Sequence, residues 1–180
     1  MPAVPVDGSY WVVPGVLLAG RHPNLAGLGE ARSAAGRLLE AGIGCFVDLT
    51  QSEEYGLSDY GPLVQGRTPA DGRPWLVLHH PIEDMSLPSA QAMVQILAAI
   101  DAALAAGHMV YVHCHAGLGR TGTVIGCWLA RRLGSGQAAL EELARLRRVA
   151  GLAGSQSPET DEQRAFVLNW LQADPLNDQA

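Results

Sequence analysis

The stretch Met109-Val110-Tyr111-Val112-His113-Cys114-His115-Ala116-Gly117-Leu118-Gly119-Arg120-Thr121 decides how the chain is read. Met109–His113 is an apolar, β-branched-containing run of the kind that forms a buried strand, and the largely apolar stretch through Leu133 suits a helix buried in the core. Between them lies a glycine-rich turn. A turn of that length, from Cys114 to Arg120, wraps the backbone so that successive N–H groups point at one spot, with the dipole of the following helix aimed at the same place. The result is a cradle for an oxyanion. Gly117 and Gly119 permit backbone conformations and close approaches that a side chain would block, and Arg120 adds a permanent, planar, bidentate donor for two phosphate oxygens. His115, Ala116, Gly117, Leu118, Gly119 and Arg120 are therefore the expected substrate-binding positions.

The same cradle acts on Cys114. Inward N–H groups and a helix N-terminus favour thiolate over thiol, and settings of this kind bring a thiol from about 8.5 to roughly 3.5–7.5. Cys114 is expected to be a nucleophile at neutral pH. His113 reads as an orienting hydrogen-bond partner, because a thiolate made by the cradle needs no proton acceptor during attack. Thr121 offers a hydroxyl suited to stabilising the thiolate as it departs. The chemistry implied is two-step phosphoryl transfer through a phosphocysteine.

Such a reaction releases an alkoxide or phenoxide that a carboxylic acid must protonate. Asp84 is the candidate, with Glu83 as the fallback. It lies in His80–Pro88, directly after a predicted parallel strand, and should emerge on the same sheet edge as the cysteine turn. Once ionised it can take a proton from the attacking water, with Gln163 or Glu159 as candidate water positioners. Asp84 also suits a simple turn cap. His79-His80, or His113 and His115, with Asp84 can be read as metal ligands, which would leave Arg120 and the glycines without a role.

Outward from this turn, Tyr10–Val13 and Val16–Leu18 are β-rich runs joined by Pro14-Gly15, a hairpin signal. A helix is predicted from Pro23-Asn24 through Ala41, then a core strand over Ile43–Leu49. Gln51–Pro74 has no clear period, and a loop of that length in a compact domain borders a site or carries structure of its own. Trp75–His79 is strand-like. Ser89 caps a predicted helix with Met93, Ile96, Leu97, Ile100 and Leu104 at helical spacing. Two further helices follow. One starts near Ser135 with Leu140, Leu143 and Leu146 on one stripe, where Glu141 and Arg145 can pair one turn apart. The other takes Ser157 as N-cap and Pro158 as its first residue, with Phe166 and Trp170 as core anchors. Arg131, Arg132, Arg147 and Arg148 read as a solvated helix face. The expected fold is α/β, with a central parallel-rich sheet flanked by helices on both faces and the phosphate loop between a strand and a buried helix. Residues 1–9 read as a flexible lead-in, 10–173 as one domain and 174–180 as a polar tail.

Composition narrows the function. The 180 residues carry a net charge of −6, which opposes bulk binding to nucleic acid or anionic lipid. All twelve basic residues are arginine, so a lysine Schiff base and a lysine-bearing phosphate loop are excluded. Cys45, Cys114 and Cys127 are an odd number without a CxxC pair, which argues against a disulfide framework and fits a reducing, cytoplasmic setting. Cys45 and Cys127 read as small buried hydrophobes. Neither a signal peptide nor a membrane span is visible.

The run His113–Thr121 resembles the signature of the cysteine-dependent protein phosphatase superfamily, namely His-Cys, five residues, Arg and Ser/Thr. The order of acid loop before cysteine loop resembles the dual-specificity branch. The His-His-Pro-Ile-x-Asp run at 79–84 and the Ser-Pro-Glu-Thr-x-x-Gln-x-x-Phe run at 157–166 are similar to kinase-associated phosphatase and related atypical members. The resemblance spans about residues 40–171. It implies a compact α/β domain, no metal or other cofactor, and a phosphorylated protein or peptide as substrate, with phosphotyrosine or phosphoserine/threonine as the hydrolysed group. Inositide-directed members usually carry lysines inside the loop, whereas here those positions are His115 and Leu118. The alternatives are a non-catalytic module recognising phosphorylated partners, a phosphatase acting on a non-protein ester, and a sulfur- or arsenate-transferring enzyme with a similar loop.

Overall fold

A computed structural model describes residues 2–23, 28–57, 66–70 and 72–174. A hairpin opens the fold, β1 (Ser9–Val13) and β2 (Leu17–Arg21), followed by α1 (Leu28–Glu40) and β3 (Ile43–Asp48). A single 3-10 turn at Glu54–Gly56 precedes β4 (Leu76–His79), α2 (Ala90–Ala105) and β5 (Met109–Cys114). Three helices complete the chain: α3 (Gly119–Leu133), α4 (Gly136–Val149) and α5 (Asp161–Ala173). The sheet order is β1-β2-β5-β3-β4, antiparallel only between β1 and β2. This is the expected parallel-rich α/β sheet.

Alternation along the strands builds two cores, since successive side chains point to opposite faces. Val110 and Val112 of β5, with Cys45 and Val47 of β3, pack with Ile96, Ile125, Leu143 and Val167 from α2 to α5. On the other face Tyr111, Phe46 and Leu18 pack with Leu38 and Leu39 of α1. Helices therefore cover both faces. Parallel register brings the carboxyl ends of four strands to one edge, pairing Arg21 with Cys114, Asp48 with His113 and Asp48 with His79. The loops leaving those ends carry the functional residues, as open α/β sheets require.

Ser89 and Ser135 cap α2 and α4 as read, accepting from the backbone N–H groups of Ala92 and Ala138. The cap of α5 is Thr160 and not Ser157. Thr160-Asp161-Glu162-Gln163 forms a reciprocal capping box that satisfies two backbone donors, while the Ser157 hydroxyl donates to the Leu118 carbonyl at 2.8 Å. Arg145 pairs with Glu142, not Glu141, which instead accepts from Gln137. The arginine face is only partly solvated: Arg147 is 5% exposed, Arg131 is bonded to Asp174 at 2.6 Å, and Arg132 lies over the Trp128 ring.

Within the stretch read as a lead-in, Val6 is buried and Ser9 already belongs to β1. Asp174, read as the start of the tail, is buried, while 175–180 lie outside the described residues, as do 24–27 of the predicted first helix. Among the described residues no helix is long and apolar enough to cross a membrane.

Candidate active site

Cys114 ends β5 and is 2% exposed. The following turn runs over His115–Leu118, and α3 opens at Gly119 with no side-chain cap on its first N–H groups. Gly117 has φ 73°, and a Cβ there would sit 2.4 Å from the Gly20 carbonyl carbon. Only glycine fits. The turn is anchored from outside: the His115 carbonyl accepts from the His22 N–H at 2.9 Å, the Gly117 carbonyl from Arg147 at 3.3 Å, and the Leu118 carbonyl from Ser157. These bonds fix carbonyls outward. Arg120 Nε and Thr121 Oγ1 are buried with no hydrogen-bond partner among the described residues, and buried donors are rarely left so.

The Arg120 guanidinium is held by two other loops. Glu54 takes it bidentately, Nη1 to Oε2 at 2.6 Å and Nη2 to Oε1 at 2.5 Å, and the Ile82 carbonyl accepts from Nη1 at 3.0 Å. Asp84 Oδ1 lies 2.8 Å from Nη2. Side-chain exposures of 1% for Arg120, 6% for Glu54 and 30% for Asp84 make this a largely buried cluster of one cation and two carboxylates. Burial works to raise both carboxyl pKa values, yet both are held below the usual range. For Glu54 the Arg120 hydrogen bonds and charge outweigh burial. For Asp84 a 2.7 Å hydrogen bond from the Tyr55 hydroxyl and the Arg120 charge do so. Glu83 makes none of these contacts. Glu53, Tyr55 and Met85 are the non-glycine residues with left-handed φ among those described, and they flank Glu54 and Asp84. Such backbone strain collects at functional sites.

Behind the cysteine turn sits a polar group, His22, Asp48 and His113. Asp48 Oδ1 accepts from the Thr50 N–H at 2.9 Å and hydroxyl at 2.7 Å, and lies 3.8 Å from His113 Nδ1. Burial pushes His113 down, against the pull of Asp48, and pushes His22 down to about 3. Both shifts favour the neutral imidazole. The ligand atoms of these three residues all lie within 4.8 Å of one another, close enough to hold a metal ion. Of the grouping drawn from sequence, His79-His80 or His113 and His115 with Asp84, this set shares only His113, and His79 bonds the Thr50 carbonyl at 2.8 Å.

A family model described as a DSP-PTPase phosphatase of polymorphic toxin systems matches residues 29–134, more than half of the chain. The chain belongs to this family. The chain is 33% identical over 94 residues to the tyrosine-protein phosphatase cdc-14 of Caenorhabditis elegans, a match covering 52% of this chain and 13% of that protein. The chain thus spans a small part of that relative's length. It is 27% identical to Tk-PTP in its active form, with a TM-score of 0.66 over 93% of this chain and 97% of that one. Kinase associated phosphatase, with serine in place of its catalytic-site cysteine, shares the fold at 19% identity, a TM-score of 0.65 and coverage of 88% and 86%.

The sequence-predicted Cys114, Arg120, Thr121, His113 and Asp84 lie together at one sheet edge. Gln163 and Glu159 stand differently. The Gln163 amide accepts from the Glu159 and Thr160 N–H groups and donates to the Ser86 carbonyl, tying α5 to the acid loop. The Glu159 side chain is exposed. Sequence reasoning missed Glu54, Tyr55 and Arg147. The signal for Glu54 was available, because the rule that selects Asp84, an acid in the loop after a parallel strand, applies equally to the loop after β3.

Proposed function

We propose that the protein hydrolyses phosphotyrosine, and phosphoserine or phosphothreonine, in protein substrates through a phosphocysteine intermediate. The observation that carries this is the pair of buried donors without a partner among the described residues, Arg120 Nε and Thr121 Oγ1, in the first turn of the helix that follows the Cys114 loop. The oxygens of a phosphate monoester accept hydrogen bonds from Arg120 and from the turn's N–H groups. The Cys114 thiolate attacks phosphorus, the P–O ester bond breaks, and the leaving oxygen takes the proton of the Asp84 carboxylic acid. Water then attacks phosphorus, giving its proton to the Asp84 carboxylate. The S–P bond breaks, inorganic phosphate leaves, and Thr121 donates to the returning thiolate.

The cluster geometry supplies the switch that Asp84 needs. A phosphate dianion competes with the Asp84 carboxylate for Arg120 Nη2 and repels it, which raises the Asp84 pKa towards the protonated form. Free enzyme keeps Asp84 ionised, and substrate prepares the acid. Asp84 and Cys114 together weigh against a module that only binds phosphate, and the absence of lysine from the loop weighs against highly charged inositides. Three cysteines outside any disulfide suit a reducing compartment.

The test is hydrolysis of p-nitrophenyl phosphate across pH 5–8, with and without EDTA, on wild type and Cys114→Ser. EDTA-resistant activity lost in the variant is expected. Activity that persists in Cys114→Ser, or that EDTA abolishes, overturns the cysteine mechanism.

A further inference from the structure

Tyr55 is 69% exposed, a large aromatic left at the surface. Its backbone is held in the left-handed region at φ 50° and ψ 27°, and Glu53, which enters the turn, has φ 59°. An exposed side chain gains little from such a backbone by burial, so the reason must lie in what it touches. Its hydroxyl donates to Asp84 Oδ2 at 2.7 Å. Its ring centroid is 4.9 Å from that of His115, in the cysteine turn, tilted by 50°. One side chain from the loop after β3 thus reaches both the acid loop and the phosphate loop.

We propose that Tyr55 is a positioning and specificity residue, its hydroxyl fixing Asp84 and its ring, beside His115, forming the wall against which the aromatic ring of a phosphotyrosyl substrate lies. This rests on the phosphatase reading above. The two Asp84 oxygens are held from opposite sides, Oδ1 by Arg120 and Oδ2 by Tyr55. When phosphate displaces the Arg120 contact, the Tyr55 bond keeps the carboxyl in place with Oδ1 turned to the leaving oxygen, and then stabilises the carboxylate that proton donation creates. The groups facing Asp84 are Tyr55, Arg120, His115, Glu54 and the Met85 backbone N–H. The hydrogen bond to Asp84 and its charge raise the Tyr55 pKa, so the phenol remains a donor over pH 5–8. Offset aromatic contact favours a phosphotyrosyl ring over the short aliphatic chain of phosphothreonine.

Two readouts that do not need turnover test this, and the exposure of Tyr55 leaves the core untouched by substitution. First, a carboxyl-carbon NMR titration of Asp84 in Tyr55→Phe is expected to show a pKa higher than in wild type, since the ionised form has lost a donor. An unchanged titration overturns the positioning role. Second, phosphotyrosine and phosphothreonine peptides are bound to Cys114→Ser with and without Tyr55→Ala. A loss of about tenfold for the phosphotyrosine peptide, the order of an aromatic pair, with phosphothreonine binding unchanged, is expected. Equal losses, or none, overturn the specificity role. In active enzyme, Tyr55→Phe should lower kcat about tenfold, as expected for a hydrogen bond to a charged group, leave KM unchanged and move the alkaline limb of the pH profile upwards. Absence of any turnover in wild type would defeat the phosphatase reading, while the titration and peptide binding still decide the role of Tyr55.

Discussion

The loop after β5 and the turn after β3 converge on the same guanidinium, yet they are made of different material. The cysteine loop works through its backbone: N–H groups at a helix N-terminus, a glycine that nothing else can replace, and carbonyls tied outward by Arg147 and Ser157. The Glu53–Gly56 turn works through side chains, with Glu54 on Arg120 and Tyr55 on Asp84, and stands on a strained and exposed backbone. A backbone cradle needs its residues consecutive, so it leaves a continuous motif. A side-chain clamp needs only the right residue at the right place after folding.

Substitutions can break or sharpen that contrast. The largest effect belongs to the cysteine loop: Cys114→Ser should remove turnover while phosphate binding persists, and residual activity above a few per cent in a p-nitrophenyl phosphate assay would sink the assignment. No single residue of the Glu53–Gly56 turn should match it. Next, Asp84→Asn should slow hydrolysis by roughly 10²–10⁴ and flatten its pH dependence, whereas Glu83→Gln should stay near wild type. The opposite result exchanges the two carboxylates.

Stability resolves the contrast further. Gly117→Ala should cost about 3 kcal/mol in denaturant unfolding, combining a left-handed backbone with collision against Gly20. Glu54→Gln should cost about 2 kcal/mol, the worth of a hydrogen bond to a charged group, and should flatten the acid limb of stability. The Glu54 pKa is lowered in the folded protein, so its contribution is present above the unfolded value of about 4.3 and lost as pH falls through the folded one. An unchanged acid limb would mean that the clamp is loose in solution. Gly56→Ala, also at positive φ but with nothing within 4 Å, should cost only about 1 kcal/mol.

The cysteines draw the same distinction between local and tertiary causes. All three are buried; burial alone pushes the Cys45 thiol up to about 12, and burial, the largest cause, raises Cys127 together with the Asp174 charge against the pull of Arg131. Cys45 stands opposite Val110, four residues before Cys114 on the neighbouring strand and thus about 13 Å along it. That is too far for a disulfide between Cys45 and Cys114 without strand movement.

By itself the sequence determined the α/β order of elements, the strand–turn–helix around Cys114 and the candidacy of Asp84, because each follows from periodicity, glycine placement or position after a strand. It could not rank Thr160 over Ser157 as a cap, since both patterns are locally sound and only the Leu118 carbonyl draws Ser157 away. Nor could it tell Arg147, turned inward beneath the Gly117 carbonyl, from the more exposed arginines that share its spacing. Glu54, Tyr55 and their meeting with Arg120 and Asp84 were decided by the parallel register that brings the ends of β3, β4 and β5 to one edge. Contacts between residues 66 and 29 positions apart are fixed by chain crossings, and nothing local in the sequence encodes them.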